Sequence, residues 1–480
     1  MPTNLIEPIY AGRTYKDYNA NYLYSTSVTP STGSAKILVI PVWFNDSNTF
    51  IAVENKDIVR EDIRKAYFGS NKDTGWRSVK TYYEEESHGK LTLNGTVSEW
   101  YSENASYNTY AAESNLSNTV DLVVKATKWY FDNHTTEKRR DYDEDGNGYL
   151  DGVMLIYGAP DYSAMNNNKK NLWAYCYWVQ DTSANSRFNP GANAFFWASY
   201  DFMYGSNIVT SHTGLSNYHS GDTNHALIDS HTFIHEMGHM FGLDDYYDYT
   251  GTYLPAGGFS MQDQNVGGHD PFSSFALGWG KAYVPTESMT IHLKPFDATG
   301  EMIILSPNWN SYNSVFDEYL ILEYYTPNGL NKHDTTYQYA GAYPSGTTEY
   351  GIRLWHVDAR LNVYTGSVDS SGNPKFTPAN TTDPASASNK VALMMNNSYQ
   401  GTNKDYNLLQ FIRNKTTTTY NTKTKFTGSH LFKTGQSFDV ATYNAQFVKD
   451  NKLNNGKTLG YSFTVSSVLS EYATITITKG

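Results

Sequence analysis

The sequence predicts an α/β (or α+β) half up to about residue 283 followed by an all-β, sandwich-like half, and three observations carry that prediction. Dense apolar runs alternate with helix-spaced segments through the first half. Beyond about residue 286 the pattern changes to short alternating runs bounded by Gly, Pro, Asn or Ser, the grammar of sandwiches and barrels. A chain of 480 residues also exceeds what one hydrophobic core serves, so more than one domain is expected.

Taken in order, residues 1–34 are polar and rich in Tyr, Ser and Thr without a sustained period, and are read as an N-terminal arm. Residues 35–44 (AKILVIPVWF) form a β-branched apolar run of the kind covered on both faces, which belongs at the centre of a sheet. Residues 55–68 and 76–87 have apolar positions at helical spacing; Gly89 ends the second, and residues 90–97 (KLTLNGTV) alternate as a strand with one solvated face. Helical spacing returns over 120–131, residues 152–158 (GVMLIYG) read as another buried strand, and 171–180 and 194–203 as aromatic strands. Residues 230–241 are the helix that matters most. After Trp279 come strand candidates at 289–293, 302–305, 319–325, 350–357 and 461–468, with a Thr-rich stretch, 415–425, read as an exposed loop or edge hairpin. The expected organisation is an arm (1–34), a catalytic domain (35–283) and one or more β-rich domains (284–480).

Composition excludes some function classes. The 36 basic and 48 acidic residues leave a net charge of −12 with no clustered Lys/Arg stripe, so nucleic acid is not expected as a partner. Cys176 is the single cysteine, which rules out an internal disulfide and leaves the redox compartment open. The first residues lack the basic start and apolar run of a signal peptide, and no stretch is apolar enough to span a bilayer. A chain trimmed of its export signal would read the same way.

The decisive segment is residues 231–245, HTFIHEMGHMFGLDD, which contains H-E-x-x-H-x-x-G-x-x-D. On a helix, i and i+4 lie one turn apart on one face, so the imidazoles of His235 and His239 can converge on one ion at about 2.0–2.1 Å. Glu236 follows the first histidine directly, where its carboxylate can reach a metal-held water without occupying a coordination place. Gly242 tolerates positive φ, so the helix can stop there and the chain double back. Asp245, three residues on, sits where the elongated metzincin motif places its third ligand, and a carboxylate oxygen suits zinc. Asp244 and Asp248 are rivals on the same short return.

Two further segments support this reading. Residues 257–263 (GGFSMQD) follow the helix at the interval of a metzincin methionine turn, with Met261 as its methionine. Residues 143–151 (DEDGNGYLD) place Asp143, Asp145, Asn147 and Asp151 at positions 1, 3, 5 and 9 of an EF-hand-like loop, with Gly148 at 6 and the Tyr149 carbonyl at 7. Position 12 is Met154, so a calcium site here must recruit a carboxylate from elsewhere, with Asp141 as the candidate. His356 and Asp358 form an H-x-D pair on a strand, which we read as a hydrogen-bonded anchor between sheets rather than a metal site. His212, His219, His225 and His231 surround the main motif and receive no role.

With these residues in place the chain resembles the immune inhibitor A family of secreted bacterial metallopeptidases. The resemblance rests on 235–248 (HEMGHMFGLDDYYD), 80–91 (KTYYEEESHGKL), 142–156 (YDEDGNGYLDGVMLI), Leu277-Gly278-Trp279 and 350–358 (YGIRLWHVD), in that family's order. It covers about residues 35–360 and implies a metzincin-like catalytic domain, zinc and calcium as cofactors, export from a bacterium and protein substrates. The residue before Asp245 is Asp244 where the family often has Pro, which keeps the neighbouring carboxylates in competition.

The expected chemistry is zinc-dependent hydrolysis of peptide bonds in extracellular proteins, with Glu236 as general base towards a metal-activated water and later as donor to the leaving amine. A tyrosine is the expected oxyanion donor; among 41 tyrosines, Tyr247 is a bare candidate. The competing reading is a β-rich adhesion or glycan/protein-binding module whose zinc site is structural or inactive. Oligomeric state and cleavage preference have no signal in the sequence.

Overall fold

A computed structural model describes residues 4–18, 28–74, 76–162, 170–179, 186–204, 228–335, 345–370, 372, 374–386, 390–392, 394–397 and 406–480. The architecture is mixed α/β, with several sheets and few helices. By contacts the chain divides into two compact units, one of residues 27–85 and 89–242, the other of 1–26, 86–88 and 243–480. This line differs from the change of strand pattern near residue 284, because the turn after Gly242 and the segments behind it pack with the β-rich half.

In the first unit the apolar run of residues 35–44 is the centre of a sheet, as its composition requires. The strand Gly33–Trp43 lies between Leu91–Val97 and Val153–Tyr157, parallel to both, and Val153–Tyr157 continues in parallel to Ala194–Ser199. Tyr175–Trp178 closes that end antiparallel to Ala194–Ser199. Ala35, Ile37, Leu38, Val39, Ile40, Val42 and Phe44 are all fully buried, which a strand achieves only when both faces are covered. Helix Leu116–Asn133 buries Leu122, Val123, Ala126 and Tyr130 in the same core as Leu38, Ile40 and Leu155. The run at 194–203 is a strand only to Ser199; the Ser199 hydroxyl accepts the Asp201 N–H at 3.2 Å and turns the chain into a 3-10 segment, Tyr200–Met203.

The second unit carries a six-stranded sheet in the order Ile9–Tyr10, Lys281–Tyr283, Glu301–Leu305, Glu318–Tyr325, Gly351–Asp358, Leu409–Ile412. A four-stranded sheet orders Ser437–Phe438, Tyr461–Val468, Ala473–Lys479 and Met289–Leu293. Inward residues of both sheets, among them Leu322, Leu354, Ile291, Phe463 and Ile475, share one apolar core, as in a sandwich. The N-terminal arm contributes to this unit: Ile9–Tyr10 pairs antiparallel with Lys281–Tyr283, and the Asn4 side chain accepts the His292 N–H at 2.8 Å. Two residues are too few to show a period, so the sequence pattern does not reveal this strand.

His356 and Asp358 are buried and hydrogen-bonded, but not to each other. His356 Nε2 lies 2.9 Å from Glu318 Oε1 on the neighbouring strand, while Asp358 accepts from Arg360 at 2.7 and 2.8 Å and from the Asn454 amide at 2.9 Å. Among the described residues no helix is long and apolar enough to cross a membrane.

Candidate active site

The helix His231–Met240 is built from the apolar face that its sequence offers. Phe233 stacks on Tyr67 at 5.3 Å and meets Phe196 edge-on at 5.6 Å, and the Tyr83 hydroxyl donates to the Ile234 carbonyl at 2.6 Å. Its ends are satisfied from outside: the Asp229 carboxylate accepts the His231 N–H at 2.8 Å, and the Met240 carbonyl accepts the Thr29 N–H at 2.8 Å. Cys176, on the antiparallel edge strand, places its sulfur 3.3 Å from that of Met240. Burial raises both the Cys176 thiol and the Tyr67 phenol well above their ordinary values, and the Glu236 charge adds to each shift. Glu236 is itself buried.

His235 and His239 lie one turn apart, ring centroids 5.0 Å from each other and planes at 86°. Gly242 N–H closes on the His239 carbonyl at 2.9 Å, and Gly242 itself has φ +98°, the left-handed reversal that its position requires. Three residues later, ligand atoms of His235, His239 and Asp245 all lie within 4.8 Å of one another. Small rotations bring such atoms to bonding distance of a common point, and two imidazoles with one carboxylate are a zinc donor set.

The rival carboxylates have other surroundings. Asp248 accepts from the Thr250 hydroxyl at 2.6 Å and from the N–H groups of Thr250, Thr252 and Tyr253 at 3.2, 2.9 and 3.2 Å. Burial opposes its charge, but these hydrogen bonds prevail and hold its pKa below the ordinary carboxylate value. Asp244 does not belong to the group of converging ligand atoms. Asp245 does, and its Oδ2 accepts the Tyr249 hydroxyl at 2.6 Å. Sequence reasoning misses Tyr249: a tyrosine four residues on, in a loop, carries no periodic signal.

Met261 is fully buried in a turn with Gly257 and Gly258 at φ +77° and +81°, where Asp263 accepts the Gly258 N–H at 2.9 Å. His231 is buried; His212, His219 and His225 lie outside the described residues.

In the loop before the strand Val153–Tyr157, oxygens of Asp143, Asp145 and Asp151 also lie within 4.8 Å of one another. Gly146 has φ +70°, and Asp143 accepts the N–H groups of Asn147 and Gly148 at 3.0 and 3.1 Å. Burial pushes the Asp151 carboxyl up to about 8, against hydrogen bonds from the Lys36 and Glu144 amides. Asn147 donates its side-chain amide to Asp145 at 3.0 Å and accepts the Tyr149 N–H at 2.8 Å. Asp141 stands apart from this group; it faces Arg140 at 3.8 Å.

Residues 25–268 match the model of the immune inhibitor A peptidase M6 catalytic domain, which is just over half of the chain. The chain belongs to the immune inhibitor A peptidase M6 family. Within the M6 match lie both groups of converging ligands. Similar proteins include a pre-pro-metalloprotease, PrtV, in two strains of Vibrio cholerae serotype O1, 28% identical over 241 residues, covering 44% of this chain and 24% of each relative. The match thus spans about a quarter of the length of these curated relatives. M6 membership places the chain among peptidases, and the relatives named are metalloproteases.

Proposed function

We propose that the chain is a zinc-dependent metalloendopeptidase that hydrolyses peptide bonds of extracellular proteins, with His235, His239 and Asp245 as metal ligands and Glu236 as general base. The single observation that carries this reading is the approach of those three ligand atoms to within 4.8 Å of one another, beside a buried glutamate on the same helix. Bound there, zinc would supply a Lewis acid for the scissile carbonyl and lower the pKa of the attacking water. The protein's own share is positional. Glu236, which is buried, accepts a proton at its carboxylate from the attacking water and returns it to the leaving amine.

The finer features extend this reading. We take residues 35–283 as the catalytic domain, 1–34 as an N-terminal arm and 284–480 as β-rich, and the fold as metzincin-like with Met261 in the methionine turn. Calcium is proposed as a structural ion at Asp143, Asp145 and Asp151, with Asn147 and the Tyr149 carbonyl as further oxygens; three carboxylates packed together, two of them buried, favour a cation. The designation of the relatives as pre-pro-metalloproteases supports export from a bacterium.

The test is cleavage of casein or gelatin by the purified protein. Chelation is expected to abolish activity and zinc to restore it, while Glu236→Ala keeps stoichiometric zinc and loses about 10²–10⁴ in rate. A Glu236→Ala protein as fast as the parent overturns the mechanism.

A further inference from the structure

Asp245 is held by the segment that follows it. At the near end, the Tyr246 N–H donates to the Gln262 carbonyl at 2.8 Å, the Asn396 amide donates to the Tyr246 carbonyl at 2.9 Å, and the buried Tyr246 hydroxyl lies 2.8 Å from Ser273 Oγ. At the far end, Asp248 gathers the donors of residues 250–253 and turns the chain through Gly251, at φ +63°. Tyr249 rides on this turn. The residue is 52% exposed and its ring lies 5.4 Å from that of Tyr247, while its hydroxyl reaches Asp245 Oδ2 at 2.6 Å.

A carboxylate with both oxygens free can rotate and meet a metal through either or both. A phenol O–H on one of those oxygens restrains the carboxylate plane, without adding a charge. We infer that Tyr249 is a positioning residue that orients the Asp245 carboxylate as a zinc ligand and thereby sets the affinity of the site. This rests on the zinc reading proposed above.

Tyr249→Phe removes the hydroxyl and keeps the ring of a half-exposed residue, so the fold has little reason to change. Zinc dissociation constants are measured on the full chain by competition with a chromogenic chelator, for the parent, Tyr249→Phe and Asp245→Ala. Melting temperatures of the zinc-free forms and kcat and KM at saturating zinc are recorded alongside. Tyr249→Phe is expected to bind zinc about tenfold more weakly, with the zinc-free melting temperature and KM unchanged, and Asp245→Ala to bind still more weakly. If Tyr249→Phe binds zinc like the parent while Asp245→Ala does not, the role of Tyr249 is overturned and the metal site stands. Tyr249 equally loses that role if affinity is unchanged and kcat falls, since the hydroxyl would then act on substrate, or if weaker affinity comes with an equally weakened zinc-free fold. If Asp245→Ala itself binds like the parent, the metal-site reading fails and the inference falls with it.

Discussion

Asp248 accepts four hydrogen bonds from residues 250–253, whereas Asp245, three residues earlier, accepts the Tyr249 phenol and brings a carboxylate oxygen within 4.8 Å of ligand atoms of two histidines. The same side chain thus has two jobs, set by which N–H groups the local turn delivers. That distinction is hidden in the sequence, where spacing after Gly242 favours Asp245 and nothing reveals the donors around Asp248. Gly242 itself is legible, because a helix that must reverse within three residues needs positive φ. Gly242→Ala is expected to cost about 1–2 kcal/mol in urea unfolding of the zinc-free protein. His430 supplies a pH dependence. It is 5% exposed, its Nδ1 accepts the Thr427 N–H at 3.1 Å, and burial, helped by Arg413 and Lys415, lowers its pKa from 6.5 to about 4. Between those values the unfolded chain binds the extra proton and the folded chain does not, so stability falls as pH drops from about 6.5 towards 4. Unfolding at pH 7 and pH 5 is expected to show a smaller loss in His430→Asn, whose side-chain oxygen accepts the same N–H without titrating; an equal loss in both proteins would count against this.

At the scale of elements, the histidine helix is the most legible, since its apolar positions and its metal face follow one period; the structure adds what the period cannot, namely that Tyr67, Tyr83 and Phe196 come from distant segments to pack on it. Several β-rich strands are also legible from alternation, and for Tyr461–Val468 the alternating run and the strand have the same bounds. The acidic loop ahead of Val153–Tyr157 keeps the EF-hand-like spacing through position 9 and then loses its pattern. Its three clustered carboxylates repel one another without an ion, so added calcium is expected to raise the melting temperature of the protein, by about 2.7 kcal/mol of stability at a hundredfold excess over Kd. In Asp143→Asn the calorimetric response to calcium should largely vanish. A parent whose melting temperature ignores calcium would remove the ion from this loop.

At the scale of the whole molecule, the β-rich unit is assembled from both ends of the chain. Ile9–Tyr10 pairs with Lys281–Tyr283, Asn4 bonds to His292, and Arg13 forms an ion pair with Asp383 at 2.9 Å. A chain starting at residue 19 is expected to lose these ties and to melt at lower temperature in calorimetry; unchanged melting would make the arm dispensable. None of this is legible, because a sequence pattern reports local period and says nothing about a partner some 270 residues away. The same pairing orders events at the ribosome. At about 5–20 residues per second, Ile9 and Tyr10 emerge roughly 10–60 s before the strand they pair with. The sheet built on Gly33–Trp43 has all its strands once Ser199 has emerged, so Ile9 and Tyr10 still wait for a partner when a sheet made after them is already complete.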